Sequence, residues 1–293
     1  MGYSGRYHAA SLAAVFIALA IGVLIGIGLA DDVVSTASQE LEQSLRDERD
    51  SAQDEADDLR SQLDTEKKFS DDAYPALVDE KLEGQRFAVV ELGDVPSDAV
   101  DDTADEAIDA AEQAGGELAS VSSIELPLDV QALAGAVGGK FKDVRRDPDE
   151  LERLGRDIGV KLSGGGELID RVKADLFAEF NGSLEGVSRL ILIRNPPDDL
   201  SDNEQAMYDA FEKGLIEGAA GGAVGTAGVE RTSTDPTTLG VFSDLDVATV
   251  DHVDTPAGKV SVVYALDGAS GDFGTKEDAS GLLPDLIPGK PSP

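Results

Sequence analysis

Few side chains in this chain could do chemistry. It has two histidines, His8 and His252, two methionines, Met1 and Met207, and no cysteine. Without cysteine there can be no disulfide, thiolate ligand or sulfur nucleophile. Histidine-assisted catalysis could draw only on His8, at the head of an apolar run, or on His252. The latter stands between Asp251 and Asp254, acids that favour its charged form, yet a lone histidine beside acids is ordinarily a satisfied residue. No GxSxG nucleophile elbow occurs. Gly222, Gly225 and Gly228 give GxxGxxG rather than GxGxxG, and no GxxxxGK[ST] is found. These glycines and Gly164-Gly165-Gly166 read as flexible loops. Paired acids such as Asp101-Asp102 and Asp198-Asp199 carry no information in so acidic a chain. Asn181-Gly182-Ser183 matches a glycosylation sequon, a pattern of low specificity. Catalytic, cofactor and metal residues are therefore assigned to none, and the chain is read as non-enzymatic.

One set of polar residues keeps a functional reading. In open α/β sheets ligands bind beyond the carboxyl ends of the strands. Asp94, Asn195 and Asp267 each follow a strand-like segment and could line such a cleft. The plainer account is that all three are turn residues. A hydrolase would have to work with Asp94 and Asp267.

The elements that must position these residues begin with the uncharged run Ala9–Ala30. As a helix at about 1.5 Å per residue it reaches about 33 Å, enough for a bilayer core of about 30 Å. Arg6 and the amino terminus before it favour a cytoplasmic head, which puts the rest of the chain outside. The competing reading is a cleaved signal peptide ending at Gly28-Leu29-Ala30, although such apolar cores run only about 7–15 residues. Ala10, Ala14, Ala18, Gly22, Gly26 and Ala30 recur every four residues. Small residues at this spacing let a second helix approach closely, with Ala14, Ala18, Gly22 and Gly26 as the packing set. The alternative is that alanine and glycine are simply common in apolar spans.

From Asp31 to Lys68 there is no glycine or proline, and helix formers dominate. Val34, Leu41, Leu45, Ala52, Ala56, Leu59 and Leu63 lie roughly along one stripe, with Glu48 and Glu55 interrupting the heptad. This is an acidic helical stalk, either a coiled coil or a solvated spacer, bounded by Pro75. The net charge is −35, from 59 acids against 24 lysines and arginines. Such a surface repels nucleic acid and concentrates cations without selecting one.

From Glu83 the pattern turns to alternating strands and helices. Strands are expected at Phe87–Leu92, Leu118–Leu126, Leu190–Ile193 and Val260–Leu266. Helices are expected from Ser97 to Ala114, over Asp147–Phe180 with a break at the three glycines, and from Ser201 to Ala219. That order predicts a doubly wound, largely parallel α/β domain. The layout is a head at 1–8, a span at 9–30, a stalk at 31–74, an exported domain at 83–283 and a Pro-rich disordered tail at 284–293.

Arg6, His8, Ser11, Ala14-Val15-Phe16, Ala18-Leu19, Gly22 and Gly26, followed by an acidic helix, resemble the head of the actinobacterial copper transporter family. Gly271-Asp272-Phe273-Gly274 and Leu283-Pro284 resemble that family's C-terminal glycine-aromatic-glycine segment and ending, with Phe273 where a tyrosine is expected. The resemblance implies an envelope protein that helps keep intracellular copper low, described as pore-forming in the outer membrane. The strands here are too few and too interrupted by helices for a membrane barrel. Cu(I) prefers thiolate and thioether and Cu(II) prefers imidazole; with Met1, Met207, His8 and His252 scattered, no high-affinity copper site within one chain is expected. The combined reading is a membrane-anchored, homo-oligomeric envelope protein with a role in copper homeostasis. The alternative is a structural or scaffolding protein that binds another envelope protein or a wall component.

Overall fold

A computed structural model describes residues 5–93, 98–125, 128–138, 141, 144, 147–197 and 200–286. It forms two compact units, Met1–Lys67 and Lys68–Pro293. The first is made by helix α1 (Gly5–Val78) as far as Lys67. Within it, Tyr7–Gly26 is the one segment among the described residues long and apolar enough to cross a membrane, and none of it is buried. A Cβ added at Gly22 or Gly26 would meet nothing within 4 Å in the single chain. Further along, Leu41, Leu45, Leu59 and Leu63 are all exposed. The ion pairs here, Arg46–Glu42 at 3.1 Å, Arg49–Asp50 at 2.6 Å and Arg60–Asp57 at 2.6 Å, are solvent-facing and add little.

The second unit is built on a seven-stranded sheet in the order β3-β2-β1-β4-β5-β6-β7. The strands are β1 (Arg86–Gly93), β2 (Glu117–Glu125), β3 (Glu179–Gly182), β4 (Arg189–Asn195), β5 (Gly225–Val229), β6 (Ala248–Val250) and β7 (Asp272–Phe273). Every pairing is parallel except β2 with β3. Successive side chains of a strand point to opposite faces, and both faces here are buried. Ala88, Val90 and Leu92 of β1 and Leu190 and Leu192 of β4 join one core. Phe87, Val89, Ile191 and Ile193 join the other. Burial on both faces is why these segments read as unbroken apolar runs.

The first core is covered by α3 (Val130–Val137), α4 (Pro148–Leu162), α5 (Glu167–Leu176), α6 (Asp202–Gly222) and the short α7 (Gly240–Ser243). The second is covered by α2 (Asp98–Gln113) and α8 (Pro256–Leu266). Helix starts follow capping chemistry that the sequence displays. Ser201 and Glu204 form a capping box on α6, and Asp147 caps α4 ahead of Pro148. The three-glycine break falls between α4 and α5, as expected.

Several expectations need correction. The helical stretch expected to run to Phe180 ends at Leu176, and Phe180 lies in strand β3. Val260–Leu266 is helical, not a strand. An apolar run of this length cannot be assigned by periodicity when all of it is buried; the deciding signal was Thr255, whose Oγ1 accepts from Gly258 N at 3.0 Å, with Pro256 at the first turn. Gly222, Gly225 and Gly228 are not loop residues either: the first ends α6 and the others lie in fully buried β5. Finally, Pro75 does not end the stalk helix, which continues to Val78.

That last turn belongs to the domain. Tyr74, Val78 and Leu82 are 7%, 0% and 1% exposed and sit in the second core. The Tyr74 hydroxyl lies 3.4 Å from the Ala110 carbonyl, and Tyr264 donates to the Leu77 carbonyl at 3.3 Å. Burial, helped by the charge of Asp109, pushes the Tyr74 phenol up to about 12. The folded domain thus begins before residue 83. At the other end, Pro284 is buried and Leu286 packs against the second core, so these residues are not a disordered tail; residues 287–293 lie outside the described set.

Helices α4 and α6 meet backbone to backbone. A Cβ at Gly155 would lie 2.4 Å from the Phe211 carbonyl oxygen, and one at Gly159 2.1 Å from that of Leu215. From the opposite side, a Cβ at Gly214 would lie 1.9 Å from the Glu152 carbonyl oxygen and one at Gly218 2.2 Å from that of Arg156. No side chain fits between helices this close.

Two measurements check this packing. Gly159→Ala should force the helices apart and lower stability by about 1–3 kcal/mol. Gly135→Ala, in α3 with open space around it, should raise stability by about 0.5–1 kcal/mol. Both are read from chemical denaturation of residues 68–293. Separately, a chain starting at Lys68 should unfold cooperatively, whereas one starting at residue 83 should not. The shorter chain loses three buried anchors of about 1.5–3 kcal/mol each, against a total domain stability of about 5–15 kcal/mol. A cooperative transition of unchanged midpoint in the shorter chain would contradict this.

Candidate functional site

The parallel strands bring their carboxyl ends to one edge of the sheet. Chain order reverses between β1 and β4: β2 lies on one side of β1, and the later strands run outward from β4 on the other. Such a switch point is where open α/β sheets hold ligands. Gly93 and Asn195 are register partners there. A Cβ at Gly93 would fall 1.6 Å from the Asn195 carbonyl oxygen, and its φ is +122°, so only glycine fits.

Beneath this point lies a closed ionic group. Arg194 of β4 makes two hydrogen bonds to Glu212 of α6, at 2.7 and 3.0 Å, and Tyr208 donates its hydroxyl to Glu212 at 2.7 Å. Glu212 is 1% exposed. Burial opposes the charge on Arg194, but the carboxylate more than offsets it, so the guanidinium is held above its usual range. Burial and the neighbouring carboxylate push the Tyr208 hydroxyl upward as well. A bidentate pair this enclosed fixes α6 against the sheet.

A second network closes the ends of β5, β6 and β7. Glu230, directly after β5, accepts from Thr237 Oγ1 at 2.7 Å and from Thr238 N and Oγ1 at 2.8 and 3.0 Å, and pairs with Lys276. Lys276 Nζ also donates to the Thr234 carbonyl. Asp251, directly after β6, accepts from Thr275 N at 2.9 Å and Lys276 N at 2.8 Å. Gly274 makes room for that carboxylate, since a Cβ there would stand 2.0 Å from it. The Gly271–Gly274 segment therefore supplies edge strand β7 and a seat for Asp251.

His252 is 1% exposed, its Nδ1 stands 3.2 Å from Asp251 Oδ1, and neither ring nitrogen completes a hydrogen bond of normal geometry. Burial lowers its pKa, against the opposing pull of Asp251 and Asp254. The flanking acids stand out in the sequence, but they do not outweigh the burial. Asp254 itself is held below the usual carboxylate range: burial opposes this, and hydrogen bonds from Thr232 N and Oγ1 prevail.

Of the three residues expected to line a cleft, Asn195 lies at the switch point and Asp94 falls outside the described residues. Asp267 is elsewhere. It caps the C-terminus of α8, whose Leu266 carbonyl approaches Gly225 at the start of β5, and its charge acts on Arg189 at the start of β4. That is the amino end of the strands, so Asn195 and Asp267 do not share a cleft. The misplacement follows directly from taking α8 for a strand. Sequence reasoning missed Arg194, Glu212, Tyr208, Glu230 and Lys276. In a chain with so few cations, an arginine ending one buried strand was the available signal for the first group; the Glu230–Lys276 pair spans residues too distant to be inferred.

Among the described residues no group of three or more His, Cys, Asp or Glu could hold a metal ion. Glu212 and Glu230 are neutralised and enclosed, which suits structural ties better than proton transfer with a substrate. A cavity of about 400 Å³ lies apart from these groups, between the 164–166 loop, α5 and β3, lined by Asp170, Lys173 and Phe180 among others. Lys173 Nζ sits 3.7 Å from the centre of the Phe180 ring.

Comparison with known proteins gives one consistent result. The sequence family described as "Copper transport outer membrane protein, MctB" matches residues 3–284. Relatives named "Copper transporter MctB" from Mycobacterium bovis and Mycobacterium tuberculosis are 32% identical over 95 residues, which is 32% of this chain. The chain spans 30% of the length of those curated relatives in the match.

The His252 environment predicts a pH response. Its folded pKa is depressed, so the unfolded chain takes up the proton first. The contribution to stability is intact above about pH 6.5, the unfolded value, and is lost as pH falls below it. Asp254 adds its own loss only near about pH 4. His252→Gln in residues 68–293 should therefore show a smaller drop in Tm between about pH 7 and about pH 5.5 than the native chain. Equal slopes would refute the assignment.

Proposed function

This chain belongs to the copper transport outer membrane protein family MctB, and from that premise we propose that it is a membrane-anchored cell-envelope protein that lowers cellular copper. It works as a homo-oligomer, and copper is its cargo rather than a ligand held at high affinity by one chain. The observation that carries this reading is the extent of the family match, residues 3–284, which takes in the apolar helix and the α/β unit together. The N-terminus is cytoplasmic, in keeping with Arg6 ahead of the span, and the α/β unit is extracytoplasmic. The ligand set supports the cargo role, since sulfur and imidazole donors are nearly absent from the sequence. The acidic surface gathers cations without choosing among them.

A second reading is a scaffold whose α/β unit holds another envelope protein or a wall component. The cavity of about 400 Å³ beside β3 favours it.

Deleting the gene should raise cell copper and lower copper tolerance. The full chain should restore both, and a chain without Tyr7–Gly26 should not. Residues 68–293 should bind copper no more tightly than magnesium by calorimetry at physiological pH. Unchanged copper content and tolerance on deletion would remove the copper role and leave the scaffold. Tight stoichiometric copper binding would overturn the cargo assignment.

A further inference from the structure

The exposed stripe of α1 has a regular spacing that suits packing against another helix. Leu41, Leu45, Leu59 and Leu63 are 60%, 56%, 53% and 65% exposed. Leu41, Ala52 and Leu63 are eleven residues apart, and so are Leu45 and Ala56. At about 100° per residue, these residues and Leu59 fall within about 40° of Ala52 around the helix. A strict heptad through Leu45, Ala52 and Leu59 would instead bring Glu48, Glu55 and Gln62 into the seam and move Ala56 and Leu63 to its flank. Between Leu41 and Leu63, the eleven-residue spacing keeps charge out of the seam except at Glu48. Asp47, Asp50, Asp54, Asp57 and Asp58 all project to the far side.

We infer that this stripe packs against the same stripe of a second copy, in a parallel, in-register coiled coil with an eleven-residue repeat. This rests on the homo-oligomer reading above and specifies its contact. The span fixes direction and register. Copies anchored through Tyr7–Gly26 in one membrane carry their stalks the same way from the same height, so Leu41 meets Leu41. An eleven-residue repeat gives a nearly straight or slightly right-handed pair rather than the left-handed supercoil of heptads.

The chain has no cysteine, so each introduced thiol is the only one. Full-length Ala56→Cys, Leu63→Cys, Glu55→Cys, Gln62→Cys and Asp54→Cys variants are oxidised in native membranes and scored for disulfide-linked dimer. Leu63→Cys should give at least about tenfold more dimer than Gln62→Cys, and Ala56→Cys more than Glu55→Cys, because a disulfide needs Cβ atoms about 4 Å apart. Asp54→Cys should stay at background. Dimer at positions 55 and 62 equal to or above that at 56 and 63 would overturn the eleven-residue register and leave self-association standing. No dimer at any position would overturn both, and point to a different protein on the stripe.

Discussion

The structure depends on covering both faces of β1 and β4. These two parallel strands lie at the centre of the sheet, and their side chains alternate between two separate cores. Neither face can be left to water, so the chain must supply helices on both sides. The aromatic content is low, so this is done with aliphatic side chains and close backbone packing. On one side, glycines let α4 and α6 approach until main chains touch. On the other, a row of alanines in α2 faces the buried helix α8.

The same constraint holds the last turns of α1 in the α/β unit. The second core is completed by Tyr74, Val78 and Leu82, residues of α1 and the turn just after it. The stalk therefore ends as a structural part of the α/β unit, and Pro75 is tolerated inside a helix whose last turn is held by burial.

Closure of the strand ends follows a related logic. Burying Glu212 or Glu230 alone would be costly, and each is paired with a cation and with hydroxyl donors. These ties hold loops and α6 where ligand-binding groups stand in many α/β enzymes. The carboxyl edge of this sheet is accordingly rich in charge while its buried charges are internally satisfied.

The sequence alone determined the apolar span, the acidic helix behind it, the central buried strands, the capped start of α6 and, through its head and tail motifs, the family. These signals are local: length, charge, period and cap lie within a few residues of one another. It also exposed the poverty of metal and nucleophile ligands, which is a matter of composition. Only the tertiary structure decided that Val260–Leu266 is a helix, because an all-buried apolar run has no polar face to reveal its period. That single choice moved Asp267 to the opposite edge of the sheet from Asn195. Tertiary structure also decided that Gly155, Gly159, Gly214 and Gly218 are contact points rather than breakers, and that Lys276 reaches Glu230. Such contacts join residues dozens of positions apart, and no local pattern encodes which distant backbone will arrive.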